Sequence, residues 1–269
     1  MPRAENPVGC RRCREPGIAP EFTMAFQPIV DCETGTVFAH EALVRPLSGS
    51  GGAQAVLSTI TDENRYAFDQ ACRVKAITLA AQLRMQSLLS INFLPNAVYQ
   101  PAACIRATLE AAARNAFPLE QIVFEVTEDE RSRDAQHLMA IFAEYRRHGM
   151  RTAIDDFGAG HSGLNLLAQF QPDIVKIDMA LTRNIHTDRV RRVITRSIAQ
   201  MCSQLGITVI AEGIESLPEA LCLRELGIRL LQGYYFAQPQ VERLPPVAPA
   251  ALSAVHMHFE PHLLERAAL

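Results

Sequence analysis

Ile174-Val-Lys-Ile-Asp178 is followed by Asp188-Arg-Val-Arg-Arg-Val-Ile-Thr-Arg-Ser-Ile-Ala-Gln-Met-Cys-Ser-Gln-Leu-Gly206 and then by Val209-Ile-Ala-Glu212. The outer pieces are short β-branched runs, and the middle piece carries its apolar residues at helical spacing. Val190, Val193, Ile194, Ile198, Met201 and Leu205 fall on one face of the predicted helix, with Arg191, Arg192 and Arg196 on or near the other. Asp188 stands where an N-cap belongs and Gly206 where a C′ glycine belongs. The stretch reads as strand, helix, strand.

The same alternation extends in both directions. Further strands are predicted at 23–30, 37–44, 88–94, 122–126, 152–154 and 230–236, with helices at about 67–85, 102–113, 135–148 and 217–226. Such repetition implies a parallel sheet covered by helices, either an open doubly wound sheet or a closed barrel. About eight strands in one domain of this length favour the barrel. The first two strands are joined only by Asp31-Cys-Glu-Thr-Gly35, a turn too short for a helical crossover. The expected fold is therefore α/β, a TIM-type (β/α)8 barrel with one antiparallel strand, over residues 22–242. Residues 1–21 read as a tail with Cys10-Arg-Arg-Cys13, and 243–269 as a Pro/Ala-rich linker with a short helix or tail.

Composition excludes several function classes. The chain has 269 residues, 48% hydrophobic and 20% charged, with 26 Lys+Arg against 29 Asp+Glu and a net charge of −3. That balance argues against a nucleic-acid polymer as partner, because phosphate-backbone binders show basic stripes. High apolar content argues against disorder. No apolar run reaches the roughly 20 residues that span a bilayer, and no apolar core follows the charged N-terminus as a secretory signal requires. Seven Cys at irregular spacings suit a reducing compartment. A cytoplasmic, soluble protein without a membrane partner is expected.

The informative residues end the strands. Glu41, Asn92, Glu125, the pair Asp155-Asp156, Lys176 with Asp178, Glu212 and Gln232 each lie near the C-terminal end of a predicted strand. In a barrel those ends converge on one face, where active sites are built. A single acid after a strand is ordinarily a helix N-cap. Glu125, Asp155 and Lys176, however, lie among Val, Ile, Phe and Ala, where an unpaired charge costs several kcal/mol. Carboxylates outnumber the lysine, so a cation is their natural partner. Hard oxygen ligands with no His among them select Mg²⁺, Mn²⁺ or Ca²⁺ over zinc. Adjacent aspartates suit two metals about 3.5–4 Å apart, which bind a phosphodiester and activate a water. The residues point to metal-assisted phosphate-ester hydrolysis, with enolase-like proton abstraction as the runner-up.

The blocks Gln27-Pro-Ile29, Glu41-Ala-Leu-Val-Arg45, Asn92-Phe-Leu-Pro95, Glu125-Val-Thr-Glu128, Asp155-Asp-Phe-Gly-Ala-Gly160, Lys176-Ile-Asp178, Ala211-Glu-Gly-Ile-Glu215 and Gln232-Gly-Tyr-Tyr235 resemble, in order and spacing, the EAL family of bacterial cyclic di-GMP phosphodiesterases. The resemblance covers residues 22–238. Its wording is most similar to EAL domains fused to blue-light-sensing flavin (BLUF) domains, although a stand-alone domain is expected here.

The resemblance implies hydrolysis of cyclic di-GMP to linear pGpG in a barrel with one antiparallel strand. It implies two divalent cations, Mg²⁺ or Mn²⁺, with Ca²⁺ inhibitory. Glu41, Asn92, Glu125 and Asp155 would hold one metal, Asp155 with Asp156 the other, and Glu212 would complete the metal and water shell. Lys176 would hold the attacking water, so Lys176, Glu212 and Glu41 are the expected catalytic set. Gln27, Arg45, Asp178 and Gln232 would contact substrate, Glu215 would support the site from behind, and Glu128 would tie down the loop after Asp156. A homodimer is expected. The loop carries Ala159, His161 and Gly163 where the family's common form has Thr, Tyr and Ser, a departure that bears on regulation or dimer coupling rather than chemistry. The alternative function is a catalytically silent cyclic di-GMP receptor that signals through protein partners.

Other signals carry less. Cys10 and Cys13 form a lone Cys-x-x-Cys with no second pair. His256, His258 and His262 fit a solvated helix, as do Arg191, Arg192 and Arg196. Gly158 and Gly160 lack the Lys-Ser/Thr of a phosphate loop and fit a sharp backbone turn.

Overall fold

The computed structural model describes residues 20–48, 51–127, 135–160 and 163–257. Glu128, Cys10, Cys13, His161, His258 and His262 lie outside the described residues. The strands are β1 (Thr23–Asp31), β2 (Thr36–Arg45), β3 (Leu88–Asn92), β4 (Ile122–Thr127), β5 (Arg151–Phe157), β6 (Ile174–Ile177), β7 (Thr208–Ala211), β8 (Leu230–Gln232) and β9 (Gln240–Val241). Helices alternate with them, the longer ones being Arg65–Gln82, Arg106–Arg114, Ala135–Arg147, Arg189–Gln204 and Leu217–Glu225.

The sheet runs β2-β3-β4-β5-β6-β7-β8-β1, and β1 pairs back onto β2 to close the barrel. Pairs from β2 to β8 are parallel, whereas β1 is antiparallel to both β2 and β8. The antiparallel strand is therefore β1, turned by its short hairpin: Gly35 N–H donates to the Asp31 carbonyl at 2.9 Å, and Asp31 Oδ1 accepts from Glu33 N–H at 2.9 Å. β9 lies outside the closed ring, pairing with Ala25 and Phe26 of β1 where β8 has already ended.

Strand alternation builds the barrel interior in layers. Ile29, Ala39, Val123, Ala153, Ile174, Ile210 and Leu230 form one buried apolar cluster across the barrel. Two residues further toward the mouth on each strand stand Gln27, Glu41, Glu125, Asp155, Lys176, Glu212 and Gln232, because side chains two apart share a face. An apolar plug thus floors a polar layer. Larger apolar clusters fill the space between strands and helices on two sides of the barrel.

Two expectations change. The run 230–236 is a strand only to Gln232, because Gly233 packs against the backbone of Ile214 and a turn follows. The helix Arg189–Gln204 has the expected Asp188 cap, with Oδ1 accepting from Val190 and Arg191 N–H, but its apolar stripe is not all core. Thr195, Ile198 and Cys202 face inward while Val190, Val193, Ile194 and Leu205 stay exposed. Arg191 and Arg192 are not a purely solvated face either, since their guanidiniums donate to the carbonyls of Arg183 and His186 and pin the preceding loop.

Candidate metal centre

At the centre of the polar layer lies Lys176, fully buried. Its Nζ is 2.7 Å from Glu212 Oε1, 3.0 Å from Glu125 Oε2, 3.0 Å from Asp155 Oδ1 and 3.4 Å from Glu41 Oε2. These carboxylates come from different strands and meet only because the sheet closes. Glu41 also accepts from Asn92 Nδ2 at 2.9 Å and from Gln232 Nε2 at 2.7 Å. Gln232 Nε2 lies 3.3 Å from Gln27 Oε1, and Ser90 Oγ donates to Glu125.

Asp155 and Asp156 are adjacent, so a regular strand would send them to opposite faces. The β5–β6 register shifts between Ile154 and Phe157, and Asp156 takes φ +53°. Both carboxylates consequently reach the mouth, at the cost of a left-handed backbone at a non-glycine residue. Gly158 then turns at φ +95°, where a Cβ would meet the Leu181 side chain at 2.5 Å.

One lysine cannot neutralise four buried acids, and their protonation behaviour shows it. Burial alone would push the Lys176 ammonium down, but Asp155, Glu125, Glu212 and Glu41 outweigh it and hold its pKa well above the usual lysine value. Burial, reinforced by Glu41 and Asp155 against the pull of Lys176, lifts Glu125 to about 8. Burial and Asp155 raise Glu212 well above the carboxylate range, and burial with Asp155 and Asp178 raises Asp156 to about 6. Glu41 is the exception. Against the cost of burial, Lys176 and the amides of Gln232 and Asn92 hold it low.

The donor set fits divalent cations. Carboxylate oxygens of Glu41, Glu125 and Asp155 lie within 4.8 Å of one another, as do those of Asp155, Asp156 and Glu212. The two trios share Asp155, and all five carboxylates offer hard oxygen donors. A cavity of about 340 Å³ opens above them, lined among others by Gln27, Glu41, Asp156, Asp178, Glu212 and Gln232. Asn92 lies on a neighbouring cavity that shares Leu43, Asp155 and Asp156 with the first.

Three sequence-selected residues are engaged otherwise. Arg45 NH1 donates to the Val44 carbonyl at 2.8 Å, and Arg45 does not line either cavity. Asp178 lines the cavity while its Oδ1 caps Ala180 N–H at 2.8 Å. Glu215 pairs with Arg183 at 2.5 and 2.7 Å. Sequence reasoning missed Ser90 and Arg183. Ser90 was findable, since it shares a strand face with Asn92; Arg183 follows a four-residue helix with no pattern to mark it.

The chain matches the family described as EAL domain over residues 14–239. It is 34% identical over 225 residues to the blue light- and temperature-regulated antirepressor BluF of Escherichia coli K12, covering 83% of this chain and 56% of that protein. It is 30% identical to the same organism's probable cyclic di-GMP phosphodiesterase PdeD, covering 81% of this chain and 42% of that protein. The chain spans about half the length of the curated relatives it matches. Among solved structures, a standalone versatile EAL protein from Vibrio cholerae O395 in its c-di-GMP-bound form superposes with TM-score 0.84 at 54% identity, covering 87% of this chain and 99% of that one. Klebsiella pneumoniae BlrP1 in a manganese/cy-diGMP complex gives TM-score 0.78 at 37% identity, covering 84% of this chain and 57% of that one.

Proposed function

The chain belongs to the EAL domain family, and from that premise we propose that it is a metal-dependent phosphodiesterase hydrolysing cyclic di-GMP to linear pGpG. The observation that carries this reading is the pair of carboxylate trios sharing Asp155 around the buried Lys176. Glu41, Asn92, Glu125 and Asp155 would hold one Mg²⁺ or Mn²⁺, and Asp155, Asp156 and Glu212 a second. Bound there, such ions supply Lewis-acid charge to phosphate oxygens and lower the pKa of a coordinated water.

The chain's own side chains do the rest. Lys176 stays protonated against its acids, so it offers a fixed cation to the attacking water and to charge developing on phosphorus. Asn92 and Gln232 fix the Glu41 carboxylate through amide hydrogen bonds, which keeps it ionised and oriented. Gln27, Gln232 and Asp178 face the cavity with groups suited to guanine edges and ribose hydroxyls. Arg45 reaches substrate only if it leaves the Val44 carbonyl. Glu215 holds Arg183 at the cavity wall, and Glu128 keeps the loop role read from the sequence.

The proposal extends to residues 22–242 as the phosphodiesterase unit, acting in the cytoplasm as a homodimer. Among the described residues no helix is long and apolar enough to cross a membrane. Support for self-association is the exposed apolar face formed by Leu164, Val193 and Ile194 beside a cavity of about 590 Å³.

The rival reading, a silent cyclic di-GMP receptor, draws on the antirepressor named among the relatives. Purified protein incubated with cyclic di-GMP, with Mg²⁺ or Mn²⁺ and with EDTA, separates them. The enzyme forms pGpG only with metal, whereas a protein that binds cyclic di-GMP but forms no pGpG under either ion is a receptor.

A further inference from the structure

Behind the metal centre, on the outer side of the barrel wall, lies a second buried charge cluster that the proposed chemistry does not use. Asp69 and Arg73 sit one turn apart on the helix Arg65–Gln82, and both are almost completely inaccessible. Arg73 NH2 is 2.7 Å from Asp69 Oδ2. The guanidinium carbon lies 5.0 Å from the ring centroid of Phe124 and 5.6 Å from those of Phe93 and Tyr145. Asp69 Oδ1 accepts the backbone N–H of Leu94 at 2.9 Å.

The sequence positions of these contacts are what matter. Phe93 follows Asn92, and Phe124 precedes Glu125. Strand alternation turns Phe93 and Phe124 outward wherever Asn92 and Glu125 turn inward. Asn92 and Glu125 are register partners across β3 and β4, and Phe93 N–H continues the ladder to the Glu125 carbonyl at 3.0 Å. Arg73 therefore lies against the backs of two neighbouring strands directly behind two proposed metal ligands. A planar cation over aromatic faces fixes their orientation more tightly than an aliphatic side chain of similar size would. Asp69 neutralises that cation and also fastens the chain two residues beyond Asn92.

We propose that the Asp69–Arg73 pair is a positioning device that clamps Phe93 and Phe124, and through them sets the inward reach of Asn92 and Glu125. The inference rests on the metal-centre reading for its consequence, but its structural content, the placement of Asn92 and Glu125 and the Asn92–Glu41 contact, does not depend on a metal. Removing the guanidinium lets Phe93 and Phe124 repack, and with them the hydrogen-bonded ends of β3 and β4 shift. The Asn92 amide then no longer meets Glu41 Oε1 at 2.9 Å in a fixed geometry. Groups that orient metal ligands from behind typically affect metal affinity roughly 10–100-fold.

Two readouts test it in the whole chain. The first is the side-chain amide resonance of Asn92 in metal-free, ¹⁵N-labelled protein, assigned with an Asn92→Asp control. The second is Mn²⁺ affinity by calorimetry. Arg73→Met is expected to keep a cooperative melt, to shift and broaden the Asn92 amide signal, and to weaken Mn²⁺ binding about tenfold or more. Arg73→Lys keeps the charge beside Asp69 without the planar stack and should recover stability more than Mn²⁺ affinity, a split that simple core packing would not give. If Arg73→Met does not fold, the Asp69→Asn, Arg73→Met double variant buries no orphaned charge, and Phe93→Leu removes only the aromatic face. An unchanged Asn92 signal in any folded variant of this set overturns the proposal. Should the unmodified protein bind no Mn²⁺, the metal-centre reading fails, and the Asn92 signal alone decides the positioning role.

Discussion

Gln232 Nε2 donates to Glu41 Oε2 at 2.7 Å although their strands, β8 and β2, are not neighbours; the antiparallel β1 runs between them. The contact spans the seam at which the barrel closes. It also makes Glu41 the one acid of the buried cluster whose ionised form is favoured without a metal, through Lys176 and two amides acting against burial.

That status makes Glu41→Gln the sharpest test of chemistry. The substitution keeps size and hydrogen bonding but removes a charged ligand, which weakens the attraction for a divalent ion. We expect pGpG formation to become undetectable while cyclic di-GMP still binds, measured by calorimetry in Ca²⁺ so that turnover does not intervene. Near-normal turnover in this variant removes Glu41 from the metal shell.

Lys176, the proposed catalytic cation, is also the counter-ion of four buried carboxylates. Lys176→Ala should lower kcat about 10²-fold or more, with binding of cyclic di-GMP retained. In EDTA it should also destabilise the fold by roughly 3 kcal/mol or more, because buried like charges lose their partner. Mn²⁺ should recover part of that loss, read as a thermal midpoint. Lost binding with intact turnover would contradict this role.

Metal alone should stabilise the protein. Relief of repulsion among Glu41, Glu125, Asp155, Asp156 and Glu212 predicts a higher midpoint in Mg²⁺ or Mn²⁺ than in EDTA. Asp155→Asn should shrink the rise most, since Asp155 belongs to both trios. Identical melting curves under all ions count against the site.

His40 supplies one part of the pH dependence, opposite in sign to that of the raised carboxylates Glu125, Asp156 and Glu212. Burial depresses its pKa from 6.5 to about 4, while its ring nitrogen lies 2.8 Å from Ser87 Oγ. The folded form therefore binds a proton less readily than the unfolded chain. Its contribution is complete above about pH 6.5 and is lost as pH falls toward 4, at up to roughly 1 kcal/mol per pH unit. In urea melts between pH 7 and 4.5, the stability of the unmodified protein relative to His40→Gln should fall as pH falls; parallel curves would exclude a contribution from His40.

Gly233, which follows β8, leaves no room for a larger residue. A Cβ there would lie 2.0 Å from the Ile214 carbonyl oxygen. Gly233→Ala should lower the thermal midpoint by several degrees and misplace Gln232, so that cyclic di-GMP affinity falls with it. An unchanged midpoint would mean that Ile214 yields freely.

Periodicity, turn length and residue type were enough to read the strand–helix alternation, the hairpin that reverses β1, and the acids that end the strands. These are local properties: side chains repeat every two residues in a strand and about every 3.6 in a helix, whatever the rest of the chain does. Three features lay beyond that reach. Closure of the sheet decided that Glu41, Glu125, Asp155 and Glu212, up to 171 positions apart (212 − 41), share one lysine. A register shift and a positive φ decided that Asp155 and Asp156 face the same mouth, against the alternation that a sequence reading assumes. And the apolar stripe of Arg189–Gln204 looked like core yet stays half exposed, while Arg73, charged and mid-helix, lies at the centre of an aromatic cluster. Periodicity reports which residues share a face; only the packing of elements distant in sequence determines what that face meets.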